Sequence, residues 1–167
     1  AGPIERATHL LPQFQVPRHF DTGKATDGLR QMLWGFFKKM VIADGCAPIV
    51  NEIFASPVNT TPGATLFFGA FFFAFQIYGD FSGYSDIAIG CARLFGFNLS
   101  QIFAFPYFSR SFSEFWRRWP FSLSSWFRDY VSLPLGGWRN KVGRFRNIII
   151  TFSLSGFWHG ANWTFIS

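Results

Sequence analysis

Histidine and cysteine are scarce in this 167-residue chain, and their spacing excludes several familiar chemistries. His9, His19 and His159 are the three histidines, and none stands at metal-ligand spacing from another ligand, so no metal centre is expected. Cys46 and Cys91 have neither a metal spacing nor a redox motif around them, which argues against a disulfide framework. The sequence also lacks a Walker loop, a dinucleotide-binding glycine fingerprint and a Gly-x-Ser-x-Gly nucleophile elbow. Nucleotide hydrolysis, nicotinamide chemistry and conventional serine hydrolysis are thereby poor fits. Charge is sparse too, at 14% of residues.

Aromatic residues are abundant by contrast, with 25 Phe and 7 Trp. Phe enrichment on this scale suits helices that face lipid, with aromatic side chains banding the interfaces. Mean hydropathy is only slightly positive, at +0.18, so polar and amphipathic stretches must separate the apolar ones. Residues 1–92 carry six Lys/Arg against seven Asp/Glu, and residues 93–167 carry nine against two. A basic half this rich in interleaved Trp fits loops on the cytoplasmic side of a membrane better than a nucleic-acid surface. Membrane lipid is the expected partner and nucleic acid is not. The chain opens at Ala1-Gly2-Pro3 without a Met and closes inside an apolar pattern, so it is expected to be a piece of a longer protein.

Residues 1–22 mix Pro, His and charge and read as a loop or re-entrant segment. From about Thr22 to Phe54 apolar residues recur at three- and four-residue steps, predicting a helix that enters the membrane obliquely, broken or kinked at Pro48. Thr60-Thr61-Pro62-Gly63 signals a turn, and Ala64 to Tyr78 is the clearest membrane segment. Extending that segment from Pro57 to Phe81 gives it spanning length and draws Asp80 to its boundary. Phe81 to Phe97 is again helical in pattern, and residues 98–110 show little periodicity. Two short amphipathic helices follow, at Ser111–Trp119 and Ser122–Tyr130, separated by Pro120. Pro134 to Arg146 reads as a glycine-rich basic loop before a membrane-like run from Asn147 to Trp163.

Three constellations could carry chemistry. In Ser155-Gly156-Phe157-Trp158-His159-Gly160-Ala161-Asn162-Trp163, a histidine sits between small and aromatic neighbours at the end of an apolar run. A buried imidazole tends to stay neutral and can accept a proton, with Trp158 and Asn162 lining the approach. The alternative is an interfacial histidine within an aromatic belt. In Glu114-Phe115-Trp116-Arg117-Arg118-Trp119, the paired arginines could clamp phosphate or carboxylate and the indoles could stack on a donor. They could equally be a positive, surface-lying helix. In Tyr78-Gly79-Asp80-Phe81-Ser82-Gly83-Tyr84-Ser85-Asp86, both carboxylates could line a polar cavity, or form ion pairs with Arg93 or the arginine clusters.

Taken in order, Tyr78 to Asp86, Phe105-Pro106-Tyr107, Ser109-Arg110-Ser111, Phe115 to Tyr130, Pro134-Leu135-Gly136-Gly137 and Trp158-His159-Gly160-Ala161 resemble the membrane-bound O-acyltransferase family. The likeness is strongest to its bacterial alginate O-acetylation branch, and it extends to Ala1–Arg6, Leu10–Gln13 and Trp34–Lys39. The resemblance implies an all-α, polytopic membrane bundle around a central tunnel, with this chain as the central part of one domain in the bacterial inner membrane. It implies acyl transfer from a cytoplasmic donor, acetyl-CoA by analogy, towards hydroxyls of an exported polysaccharide, with a periplasmic partner protein to complete the delivery. It makes His159 the catalytic residue, taking the proton of the attacking hydroxyl. Asp80, Asp86, Arg117, Arg118, Trp119, Trp158 and Asn162 are the accompanying contact candidates. One departure stands out: relatives carry a second histidine after Trp-Arg-Arg-Trp, where this chain has Pro120.

Overall fold

The computed structural model describes residues 4–57, 59–119, 121–137 and 143–160, and among these residues every regular element is helical. They divide into two compact units, one ending at Phe103 and the other beginning at Ala104.

The first unit is built on a long helical hairpin. One arm comprises α2 (Thr22–Phe36), a π-helical stretch (Phe37–Ala43) and α3 (Asp44–Ala55) in unbroken succession. The other arm is α4 (Gly63–Leu94), a single helix of 32 residues and therefore about 48 Å long. Asp21 starts α2 by accepting the Gly23 and Lys24 backbone N–H groups at 2.8 and 3.1 Å, leaving fewer orphan donors in the first turn. At the far end of α4, Gly96 adopts φ +79°. Its N–H and that of Phe97 return to the Arg93 and Ala92 carbonyls, so a glycine closes the last turn where a Cβ would be strained.

Glycines set how closely the arms approach. Gly28 lies against Gly90 and Gly35 against Gly83, so the arms run antiparallel with backbone nearly touching backbone. Gly79 packs on the Lys38 carbonyl and Ala43, and Gly69 on Ile53. Small residues at such a seam allow the close packing that membrane helices depend on. Phe67, Phe68, Phe71, Phe73 and Phe75 of α4 are exposed around the rest of the helix, and Phe73 meets Phe54 of α3 edge-on with ring centres 5.9 Å apart. By length and composition α4 can cross a membrane.

Three expectations from the pattern change here. Residues within the supposed N-terminal loop form a helix, α1 (Ala7–Gln15), with Pro12 inside it. Pro48 does not end its helix; the irregularity is the π stretch one turn upstream, where the Asp44 N–H reaches back five residues to the Lys39 carbonyl. The apolar run at 64–78 and the helical pattern at 81–97 merge into α4, because Gly79 and Gly83 pack against the other arm and neither interrupts the helix.

The second unit begins with an irregular segment and a 3₁₀ turn (Pro106–Phe108), then α5 (Phe112–Arg118) and α6 (Phe121–Phe127), which runs into a π turn (Arg128–Ser132). After the turn at 133–137 comes α7 (Gly143–His159). That helix starts earlier than expected: Arg144 and Arg146, assigned from sequence to the basic loop, lie in its first turn. Pro120 lies outside the described residues.

Candidate active site

The carboxylates of α4 are tied to lysines. Lys38 forms an ion pair with Asp86, the two side chains being only 9% and 19% exposed. The Gln31 amide donates to the same carboxylate at 3.0 Å, and the Lys38 ammonium lies 6.0 Å from the centre of the Tyr78 ring. Lys39, the next residue, bridges Asp80 at 2.8 Å and Asp44 at 2.7 Å. The expected pairing with Arg93 is thus corrected: Arg93 meets Asp27, at the other end of α2. The reason is geometric, since the antiparallel register brings the π stretch opposite Tyr78–Asp86 and leaves Arg93 beside the start of α2.

In the second unit, Ser111 and Glu114 form a capping arrangement at the start of α5. Ser111 Oγ accepts the Glu114 N–H at 3.2 Å, and the Glu114 carboxylate accepts the Arg110 N–H at 2.9 Å. Ser-x-x-Glu is the sequence signature of this motif. The backbone hydrogen bond from Arg110, helped by the charges of Arg118 and Arg110, outweighs desolvation and holds the Glu114 carboxyl below its ordinary range. Of the two adjacent arginines, Arg118 is committed locally: it pairs with Glu114, and its guanidinium also donates to the Ala104 carbonyl at 3.4 Å. Arg117 is exposed. Trp119 stacks on Phe115 with ring centres 5.4 Å apart, and Tyr107 closes against the same pair.

His159 is the last residue of α7, with its side chain outside the described part. The Gly160 N–H returns to the Gly156 carbonyl at 3.2 Å, completing the final turn beneath it. Trp158 lies 6.5 Å, ring centre to ring centre, from Trp126 of α6, which itself packs on Tyr130. Asn162 lies outside the described residues. The candidates therefore form two local groups, Asp80 and Asp86 with their lysines in the first unit, and Arg118, Trp119 and Trp158 with their aromatic neighbours in the second.

Sequence reasoning missed two positions. Lys38 is buried in a helix read as merely amphipathic, and its signal was a pair of adjacent lysines inside an apolar pattern. Asn147, also buried, donates to the Leu135 carbonyl at 2.8 Å and the Gly137 carbonyl at 3.4 Å. It clasps the turn in which Gly136 and Gly137 take φ values of +98° and +54°. An amide at the head of an apolar run and downstream of a Gly-Gly pair was the available clue.

Comparison with known proteins gives this arrangement a family context. The model of the membrane-bound O-acyltransferase family matches residues 1–167. A probable alginate O-acetylase, AlgI, of Azotobacter vinelandii is 47% identical over 167 residues, covering 99% of this chain and 33% of the relative. A peptidoglycan O-acetyltransferase of Helicobacter pylori is 38% identical, covering 99% of this chain and 32% of its own length. A teichoic acid D-alanyltransferase of Streptococcus thermophilus is 31% identical, covering all of this chain and 43% of its own. The chain spans about a third of the length of the first of these relatives. With the family model matching from end to end, the chain belongs to the membrane-bound O-acyltransferase family.

Proposed function

We propose that the protein to which this chain belongs is a membrane O-acyltransferase that moves acetyl groups from a cytoplasmic donor, acetyl-CoA, towards hydroxyls of an exported polysaccharide such as alginate. The observation that carries the reading is the family match over the whole chain, together with Trp158-His159-Gly160 at the end of α7. The greater identity to the alginate O-acetylase than to the peptidoglycan and teichoic acid enzymes favours alginate over the other acceptors. In this reading the protein is a multi-pass bundle around a tunnel in the bacterial inner membrane, and a periplasmic partner completes delivery to the polymer.

The chemistry assigned to His159 is general base catalysis. The acceptor hydroxyl oxygen attacks the acyl carbonyl carbon and the imidazole takes its proton. The carbon–sulfur bond of the thioester then breaks, and the proton passes to the departing thiolate. Arg117 is the arginine of α5 available for an anionic donor, since Arg118 is engaged with Glu114 and Ala104. Asp80 and Asp86 act as partners of the lysines that fix the hairpin, and this weakens a transporter reading in which they line an ion path.

A second reading, a catalytically silent scaffold, draws on Pro120, which stands where the family resemblance implies a second histidine. One experiment separates the two: acetyl-ester content of secreted polysaccharide from cells carrying full-length protein, native against His159→Ala at matched membrane abundance. Loss of esters in the variant alone supports the enzyme and shows Pro120 to be tolerated. Equal acetylation in both strains sinks the role of His159 and favours the scaffold.

A further inference from the structure

A cleft of about 420 Å³ opens in the first unit between the α1–α2 connection and the C-terminal end of α4. Arg18, His19, Lys24 and Arg93 contribute to its lining, against a single acid, Asp21. Asp21 is occupied, its Oδ1 accepting the first N–H groups of α2. Arg93 is neutralised by Asp27. Set against the one charge of Asp21, Arg18 and Lys24 leave the lining with a positive excess.

The wall is preorganised. Gln13 and Asn98 exchange two hydrogen bonds, at 3.0 and 2.8 Å, that fasten α1 to the segment after α4. The Arg18 guanidinium stacks 4.4 Å from the Phe97 ring centre and donates to the Gln13 carbonyl at 3.2 Å. It also packs against Gly96, where an added methyl group would come within 3.2 Å of the arginine side chain. Guanidinium has five N–H donors, and this arrangement assigns one of them. The cleft is not purely polar: Val16, Phe20 and Phe95 also line it, and all three are exposed.

Cations beside exposed apolar side chains, at the end of a helix able to cross a membrane, match one kind of anion: a phosphate that carries hydrocarbon. A helix about 48 Å long exceeds the ~30 Å hydrocarbon core, so its end reaches the headgroup layer. We infer that this cleft binds the phosphate of an anionic phospholipid headgroup, held by Arg18 and Lys24, with Val16, Phe20 and Phe95 against the adjoining hydrocarbon. The inference concerns lipid and stands apart from the acyl-transfer reading.

The test uses full-length protein, purified and stripped of lipid, with binding of phosphatidylglycerol in detergent micelles followed by native mass spectrometry. Lys24→Gln is expected to weaken binding about fivefold, the size associated with one basic residue near an anionic surface. Arg18→Gln should do the same. Arg30→Gln, an equal charge change on an exposed residue of α2 outside the cleft, should leave binding unchanged. Equal weakening by Arg30→Gln would mean diffuse attraction and overturn the site, as would native binding by both Lys24→Gln and Arg18→Gln. Glycerol phosphate binding as tightly as phosphatidylglycerol would overturn the lipid assignment.

Discussion

Gly35 and Gly83 face each other so closely that a methyl group on Gly35 would lie 2.6 Å from the Gly83 carbonyl oxygen, and one on Gly83 would lie 2.7 Å from that of Gly35. The obstacles are backbone atoms, which cannot swing aside as a side chain can. The position is therefore fixed by the distance between two helices, and neither glycine is explained by a turn.

Gly35→Ala or Gly83→Ala should force the arms apart and destabilise the full-length protein by about 1–3 kcal/mol, the usual cost of overpacking. Gly45, on α3, has nothing within 4 Å of an added methyl group. Gly45→Ala should instead be neutral or stabilise by up to about 1 kcal/mol through helix propensity. Thermal melts in detergent and membrane abundance report both. A Gly35→Ala protein as stable as Gly45→Ala would refute the close seam.

The buried pair of Lys38 and Asp86 predicts a non-additive response. Asp86→Leu or Lys38→Met alone leaves an uncompensated charge and should cost about 3–5 kcal/mol. The double variant Lys38→Met/Asp86→Leu should recover most of that loss, since apolar replacement of a buried pair is often neutral or better. Asp80→Asn should cost no more than about 1 kcal/mol, because its partner Lys39 is partly exposed and keeps Asp44. A double-mutant cycle on melting temperature decides, and purely additive losses would rule out the coupling.

Glu114 gives a pH dependence with a definite sign. Its carboxyl titrates below the ordinary glutamate range in the folded protein, chiefly through the Arg110 backbone hydrogen bond. Its contribution is therefore complete above the unfolded value, near 4.5, and is lost as pH falls through the lower folded value. Glu114→Gln should be less stable than the native protein at pH 7, with the difference shrinking below about pH 4. A difference that stays constant in acid would show that the ionised carboxylate is not the cause.

How much of this was legible follows from the range of each signal. Local patterns carried the helical segments from Thr22 onwards, the turn at Thr60–Gly63, and the pair of short helices around Pro120, because caps, periodicity and proline act within a few residues. The membrane-like stretch at 64–78 was equally plain, since runs of Phe need no partner to be recognised. What could not be read was register. That Asp86 meets Lys38 while Arg93 meets Asp27 depends on how two helices slide past each other, and glycines dozens of residues apart settle that. The π stretch is invisible for a related reason: its residues are ordinary helix formers, and only the pairing of backbone groups distinguishes it. For the candidate site, Trp158-His159-Gly160 was found through family likeness, whereas Asn147 has no role until the turn it holds is seen.

The hold of Asn147 on the turn at residues 133–137 has a mechanical consequence. Asn147 and His159 lie on the same helix, 12 residues and about 18 Å apart, with no proline or π segment between them. One continuous helix therefore joins the Leu135–Gly137 backbone, through the two hydrogen bonds of one amide, to the histidine end.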